Sequence, residues 1–211
     1  MSSAGEPTTT VQTGRRAATK AANRKAILEA ARAVFAELGY GAATVRDVVR
    51  RTDLASGTFY NYFPDKESLF RALVGESVLQ VRARTRAARR EADSLESFVA
   101  DGYRAYFDFL ASDRQAFELM RRNSGTIRAM FDDSMFGAGL REIAEDLRAA
   151  IRAGVIPELD AEYLAAAMVG TALEVGMTMT ERDPPDVEGA TRFASALFIG
   201  GIDRLGSGAR I

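Results

Sequence analysis

Residues 52 to 66 read TDLASGTFYNYFPDK. Phe59, Tyr60, Tyr62 and Phe63 crowd five positions, with Ser56, Gly57, Thr58 and Asn61 threaded around them. On a helix, Phe59 and Phe63 fall four apart on one face. Ser56, Thr58, Tyr60, Asn61 and Tyr62 are left around the rest, and Gly57 lets another backbone come close. These groups suit recognition and not bond making. Small polar side chains in the first turn of a helix can meet base edges in a major groove, and tyrosine hydroxyls can donate to phosphates. Arg46, upstream, is the guanidinium able to make a bidentate contact to guanine. Lys66 and the amides that open the next helix are further phosphate donors. In isolation such a segment is as readily a core helix, so its neighbours decide.

Those neighbours are helical. Ile27, Ala31, Val34, Phe35 and Leu38 repeat as one apolar stripe, and Gly39 follows as a C-terminal cap. A two-turn helix starts after Thr44, an N-cap residue, and turns Val45, Val48 and Val49 inward. Then come the quoted stretch and a helix opened by Pro64 and Asp65, with Leu69, Phe70, Leu73 and Val74 on one face. Two short helices joined by a tight turn and braced by longer ones form a helix-turn-helix. Phe59 and Phe63 are then expected to pack on Phe35, Leu38 and Val48.

Composition narrows the chemistry. The 211 residues contain neither Cys nor His, which excludes thiolate and imidazole metal sites, His-based triads and Cys nucleophiles. No glycine-rich phosphate loop of the common patterns is present. The expectation is a protein that is not an enzyme, with no cofactor and no metal. No apolar run reaches the roughly 18 residues of a membrane span, and the N-terminus lacks a signal-peptide core, so a cytoplasmic location without membrane contact is expected. Net charge is −1, divided as +4 over residues 1–75 and −5 over 76–211, a basic module on an acidic body.

Residues 25–73, KAILEAARAVFAELGYGAATVRDVVRRTDLASGTFYNYFPDKESLFRAL, resemble the N-terminal domain of TetR-family transcriptional regulators. The resemblance rests on Leu-Gly-Tyr at the end of the first helix, on Thr44-Val45-Arg46-Asp47, and on the Gly-Thr-Phe-Tyr-x-Tyr-Phe block followed by Asp-Lys-Glu-x-Leu. It implies an all-α homodimer that places residues 55–62 in the major groove of a palindromic DNA operator, with a small molecule in the C-terminal domain controlling affinity. The DNA-binding set it implies is Thr44, Arg46, Ser56, Gly57, Thr58, Tyr60, Asn61, Tyr62 and Lys66. Ser56 stands where the family often has a basic residue, Tyr62 where it often has His, and Asp53 where it often has Gly.

The expected organisation is a flexible basic arm over 1–22, a helix-turn-helix domain over 23–75 and a ligand-binding and dimerisation domain over 76–211. The arm's Arg15, Arg16 and Lys20, with Arg24 and Lys25, would add salt-sensitive affinity. In the body, helical patterns fall near 94–111, 114–122, 125–132, 138–153, 160–180 and 186–205, the first behind an Asp93–Glu96 capping box. The Arg-rich run 82–90 reads as a solvated face. The last two patterns are apolar nearly all round and rich in Ala and Gly, which reads as a four-helix dimer interface. Tyr103, Phe107, Met120, Asn123, Phe131, Met168 and Glu174 are the candidate ligand residues. Arg121, Arg122 and Arg128 are candidates for an anion at a pocket mouth. The C-terminal half resembles TetR-like regulators of fatty-acid metabolism, which implies a fatty acid or acyl-CoA effector. The expected function is a repressor released by that effector. The alternative is an activator or architectural DNA-binding protein with no effector.

Overall fold

The computed structural model describes residues 8–129 and 137–207. They contain no strand and ten helices: α1 Thr8–Ala42, α2 Val45–Val49, α3 Ser56–Phe59, α4 Lys66–Glu91, α5 Leu95–Ser112, α6 Arg114–Arg122, α7 Ser124–Ala129, α8 Ala138–Arg152, α9 Ala161–Thr180 and α10 Val187–Gly206. The chain divides into two compact units, Met1–Leu73 and Val74–Ile211, and α4 contributes residues to both.

In the first unit, α1 supplies Ile27, Ala31, Val34 and Phe35 to a core closed by Val48, Phe59, Phe63, Leu69, Phe70 and Leu73, all buried. The α1 stripe extends one turn less than its pattern predicts. Leu38 is 45% exposed, and Val45 and Val49 are only half-buried. The cause is Gly39, whose φ of 76° and ψ of 159° break the helix. Past that break the Tyr40 ring lies 6.0 Å from Phe35 and 4.7 Å from Phe70 and takes the place expected for Leu38. The arm also differs from expectation, since from Thr8 onward it is helix continuous with α1. Ala17, Ala18, Ala21 and Ala22 among Arg and Lys are strong helix formers, and extending an existing helix needs no new nucleus. Residues 14–22 are exposed throughout.

Thr44 caps α2 as its sequence predicts. Its hydroxyl accepts from the Asp47 amide at 3.2 Å, while its own amide donates to Asp47 Oδ2 at 2.9 Å. Hydrogen bonds from the Thr44 side chain, then from its backbone, hold the Asp47 carboxyl below the usual carboxylate range. Arg51, in the turn after α2, grips Glu37 of α1 with both terminal nitrogens. Asp65 accepts from the Ser68 amide at 2.6 Å and caps α4.

The second unit packs α5 against α10 and α9, with α8 laid on α9. Val99, Tyr103, Phe107 and Leu110 of α5 meet Leu164, Ala165 and Met168 of α9 and Ala194, Phe198 and Ile202 of α10 in one core. Close approach of α9 to α5 needs Gly176, where a Cβ would stand 2.7 Å from Leu110 Cδ1. The capping box before α5 lies one residue later than expected. Ser94 caps the helix and Ser97 answers it, and Asp93 accepts from the Ser97 hydroxyl. The shift follows from Ser97, whose short hydroxyl reaches back as the longer Glu96 was expected to. The pattern expected over 125–132 is α7 at Ser124–Ala129, and its remainder lies outside the described residues.

Gly39→Ala is expected to destabilise the protein by about 1–3 kcal/mol, because a Cβ is strained at that φ and ψ; urea unfolding checks it. The Asp47 carboxyl titrates lower in the folded chain than in the unfolded one. Its stabilising contribution is therefore full above the unfolded value, near 3.8, and is lost as pH falls through the folded one. Asp47→Asn should lower the unfolding midpoint at pH 7, and the gap from wild type should close as the pH falls below about 4.

Candidate DNA interface and ligand cavity

A helix of four residues cannot sustain itself, so α3 is fixed by what it buries. Phe59 is fully buried and Phe63 nearly so, their rings 6.1 Å apart, and the Tyr60 ring meets Phe59 edge to face at 5.3 Å. Ser56, Gly57, Tyr60 and Asn61 are exposed, and Thr58 and Tyr62 are half-buried. A Cβ on Gly57 would meet nothing within 4 Å, so the missing side chain leaves an open approach. Arg46 is exposed on α2. The structure thus brings Ser56 and Gly57 of α3 together with Tyr60 and Asn61 of the turn that follows it, a stretch that carries no charge of its own.

Two residues of the expected set serve the fold. Thr44 has its hydroxyl in the capping box, 2.5 Å from Asp47 Oδ2. The Lys66 ammonium is engaged within the protein. Nζ donates to the carbonyls of Tyr40 and Ala43 at 2.7 and 2.9 Å and lies 4.4 Å from the Tyr40 ring centroid. The carbonyls left at the end of α1 attract the nearest cation, and Lys66 is the first residue of α4.

The basic extension of α1 meets the end of the reader. Arg15, Arg16, Thr19 and Lys20 line an open cleft of about 600 Å³ with Asn61 and Tyr62. Asn23 donates to Tyr62 Oη at 3.2 Å, and the Arg24 guanidinium lies 5.7 Å from the Phe63 ring centroid. Asn23 was not singled out in the sequence, although residues 15, 19 and 23 and residues 16, 20 and 24 are two rows of one helical face.

The second unit contains a cavity of about 160 Å³ between α4, α5, α8 and α9. Of the expected ligand residues it is lined by Tyr103, Met120 and Met168. Tyr103 donates to the Met168 carbonyl at 3.3 Å, and burial pushes its phenol up to about 12. Phe107 is core instead, stacked on Tyr103 with centroids 5.9 Å apart. Asn123 is buried and ends α6, donating through Nδ2 to the Leu119 carbonyl at 2.7 Å. Glu174 is exposed and pairs with Arg128 at 3.2 Å beside a smaller pocket of about 40 Å³. Arg121 pairs with Glu118 and Arg122 is exposed, while Phe131 lies outside the described residues.

The run 82–90 is not simply a solvated face. Arg82, Thr85 and Arg89 line the cavity together with Glu142 of α8. Arg82 grips Glu142 through Nε and Nη2 at 2.9 and 2.6 Å, and Arg86 reaches the same carboxylate at 3.6 Å. The Arg82 hydrogen bond holds the Glu142 carboxyl below its usual range and raises Arg82 in return. Arg89, its side chain only 5% exposed, pairs with Asp146 at 3.2 Å. Ser77 is also buried on this wall, and its hydroxyl has no hydrogen-bond partner. The available signal was spacing: Val74, Val78, Val81 and Thr85 make an inward row, and Arg82 and Arg89, seven apart, lie along it.

Residues 27–73 match the family described as bacterial regulatory proteins, tetR family. An uncharacterized HTH-type transcriptional regulator of Haemophilus influenzae is 31% identical over 118 residues, which are 55% of this chain and 58% of the relative. The match therefore spans somewhat over half of that relative's length. Among solved structures, the fatty acid degradation regulator FadR of Bacillus halodurans is 26% identical, with a TM-score of 0.73 over 85% of this chain and 95% of its own. The transcriptional regulator FadR of Bacillus subtilis, solved in complex with stearoyl-CoA, shares the fold at 23% identity and a TM-score of 0.73, over 84% and 98%. The helix-turn-helix of residues 27–73 thus matches that of the tetR family, and the chain shares its all-helical fold with these regulators.

Proposed function

We propose that this regulator binds a palindromic operator as a homodimer, represses transcription there, and is released by an acyl-type effector held in the cavity of the second unit. The observation that carries the reading is the division of α3 and the turn after it, with Phe59 and Phe63 buried and Ser56, Gly57, Tyr60 and Asn61 exposed. Arg46 is the base-reading cation of this arrangement, and the Arg15, Arg16 and Lys20 face of α1 supplies phosphate contacts.

The dimer is supported by an apolar face that a single chain leaves in water. Tyr163 is 78% and Phe193 60% exposed. Ala166 and Ala167 of α9 and Ala196, Leu197 and Gly200 of α10 continue that face. The spacing is helical, the residues between are small, and a second copy covers it symmetrically. The effector class is supported by the cavity's apolar wall and by the likeness to the Bacillus subtilis regulator, which was solved with stearoyl-CoA. About 160 Å³ is below the roughly 300–1,000 Å³ of drug-sized sites. As it stands the cavity suits a short apolar chain, and a long one requires it to widen.

Selection of DNA from a random pool, followed by gel shift with and without acyl compounds, tests the whole reading; failure to enrich a palindrome would overturn it. On the selected site, Arg46→Ala should cost about 1–3 kcal/mol and relax preference at one base pair. Replacing Arg15, Arg16 and Lys20 by Ala should weaken all DNA alike and flatten the salt dependence, measured by anisotropy between 50 and 200 mM salt. Phe193→Asp with Leu197→Asp should turn a dimer into a monomer by light scattering and abolish operator binding; a wild type that is already monomeric at micromolar concentration would remove the dimer from the proposal.

A further inference from the structure

The cavity's polar end is built unlike its apolar wall. Arg82, Arg86 and Arg89, successive rows of α4, face two carboxylates of α8, Glu142 and Asp146. Arg82 and Arg86 share Glu142, so that carboxylate answers two guanidinium groups. The Arg82–Glu142 pair is mostly shielded from water, its side chains 31% and 20% exposed. Arg86 is about half exposed, so the shielded part of the site is the single Arg82–Glu142 pair, whose guanidinium can take a ligand oxyanion in place of the carboxylate. The pair is also the closure between α4 and α8 beside the cavity. Glu142 therefore occupies the position that a bidentate ligand oxyanion would take on Arg82.

We infer that the cavity takes an anionic amphiphile whose carboxylate or phosphate displaces Glu142 from Arg82 and opens the α4–α8 ion-pair latch, with its apolar chain lying along Val81, Tyr103 and Met168. This deepens the effector reading and rests on it. A cationic ligand would have to stand among arginines, and a neutral one gives Arg82 no reason to leave Glu142. Discrimination for an anion and opening of the latch are therefore one event.

The test titrates full-length protein with octanoate, octyl phosphate and 1-octanol by calorimetry, and follows release of the selected DNA in parallel. At least one of the two anions should bind about tenfold or more tightly than the alcohol, and the tighter of them identifies the oxyanion. Glu142→Gln keeps the shape of the side chain and removes the competing charge. It should tighten that anion about tenfold and leave 1-octanol unchanged. Arg82→Met should erase the preference; if that variant does not fold, by circular dichroism, the Glu142→Gln comparison stands by itself. Equal binding of alcohol and anions with release of DNA by each would overturn the latch and leave the effector reading intact. Binding of none of the three, with no release, would overturn both.

Discussion

Removing Phe59 and Phe63 from water is what leaves the polar groups beside them on the surface. Each phenylalanine side chain contributes about 1.5–3 kcal/mol on burial, whereas fixing each residue of a four-residue helix costs about 1–2 kcal/mol. The two rings are thus of the same size as the cost of holding α3 in shape, and little is left over. The neighbouring polar contacts remove the remaining freedom. Lys66 closes the end of α1 by binding the Tyr40 and Ala43 carbonyls, and Arg51 ties the turn after α2 to Glu37. Thr44 and Asp47 start α2. With those groups engaged, Ser56, Gly57 and Asn61 stay in solvent, and Tyr60 gives only one ring edge to Phe59.

The second unit solves the opposite problem, since it keeps charge near an apolar space. Arg89 is almost wholly covered, and its stem reaches past Gly102 toward the cavity. A guanidinium there is tolerable because Asp146 pairs with it and the Phe98 ring lies 5.8 Å from it. The same low-polarity surroundings that push the Tyr103 phenol up to about 12 make each ion pair beside it strong, and make an unmatched charge expensive. Internal pairing keeps these charges satisfied without a guest.

The parts of this molecule governed by periodicity were legible in its sequence. The Phe59–Phe63 division, the Thr44 cap and the body helices from α5 to α10 follow from spacing of three, four and seven residues, because a helix projects those rows on one face whatever surrounds it. The failures share a different cause. Leu38 lies on the right stripe but past the Gly39 break, where Tyr40 folds back into its place. Lys66 was given to phosphate because its charge is visible in a sequence, while the carbonyls that capture it belong to residues more than twenty positions away. Asn123 and Phe107 were read as ligand groups by type, yet one ends a helix and the other fills the core. The arginines of α4 were read as solvent-facing because their carboxylate partners, Glu142 and Asp146, come from a helix more than fifty residues on.

Helix α9 shows why an all-round apolar pattern is ambiguous. Met168 and Leu173 line the cavity, Leu164 and Ala165 enter the core, and Tyr163, Ala166 and Ala167 face outward. One sequence signal therefore serves three environments, of which the single chain leaves the outward one in water. Glu174 fits this division, since it sits on the exposed side and is matched by Arg128 of the same chain, where a carboxylate buried between subunits would need a partner from across the interface. The cavity wall and the exposed face are two sides of a single rigid helix. A guest that moved the α9 backbone beneath Met168 would carry Ala166 and Ala167 with it, whereas one that only turned the flexible Met168 side chain would leave them in place.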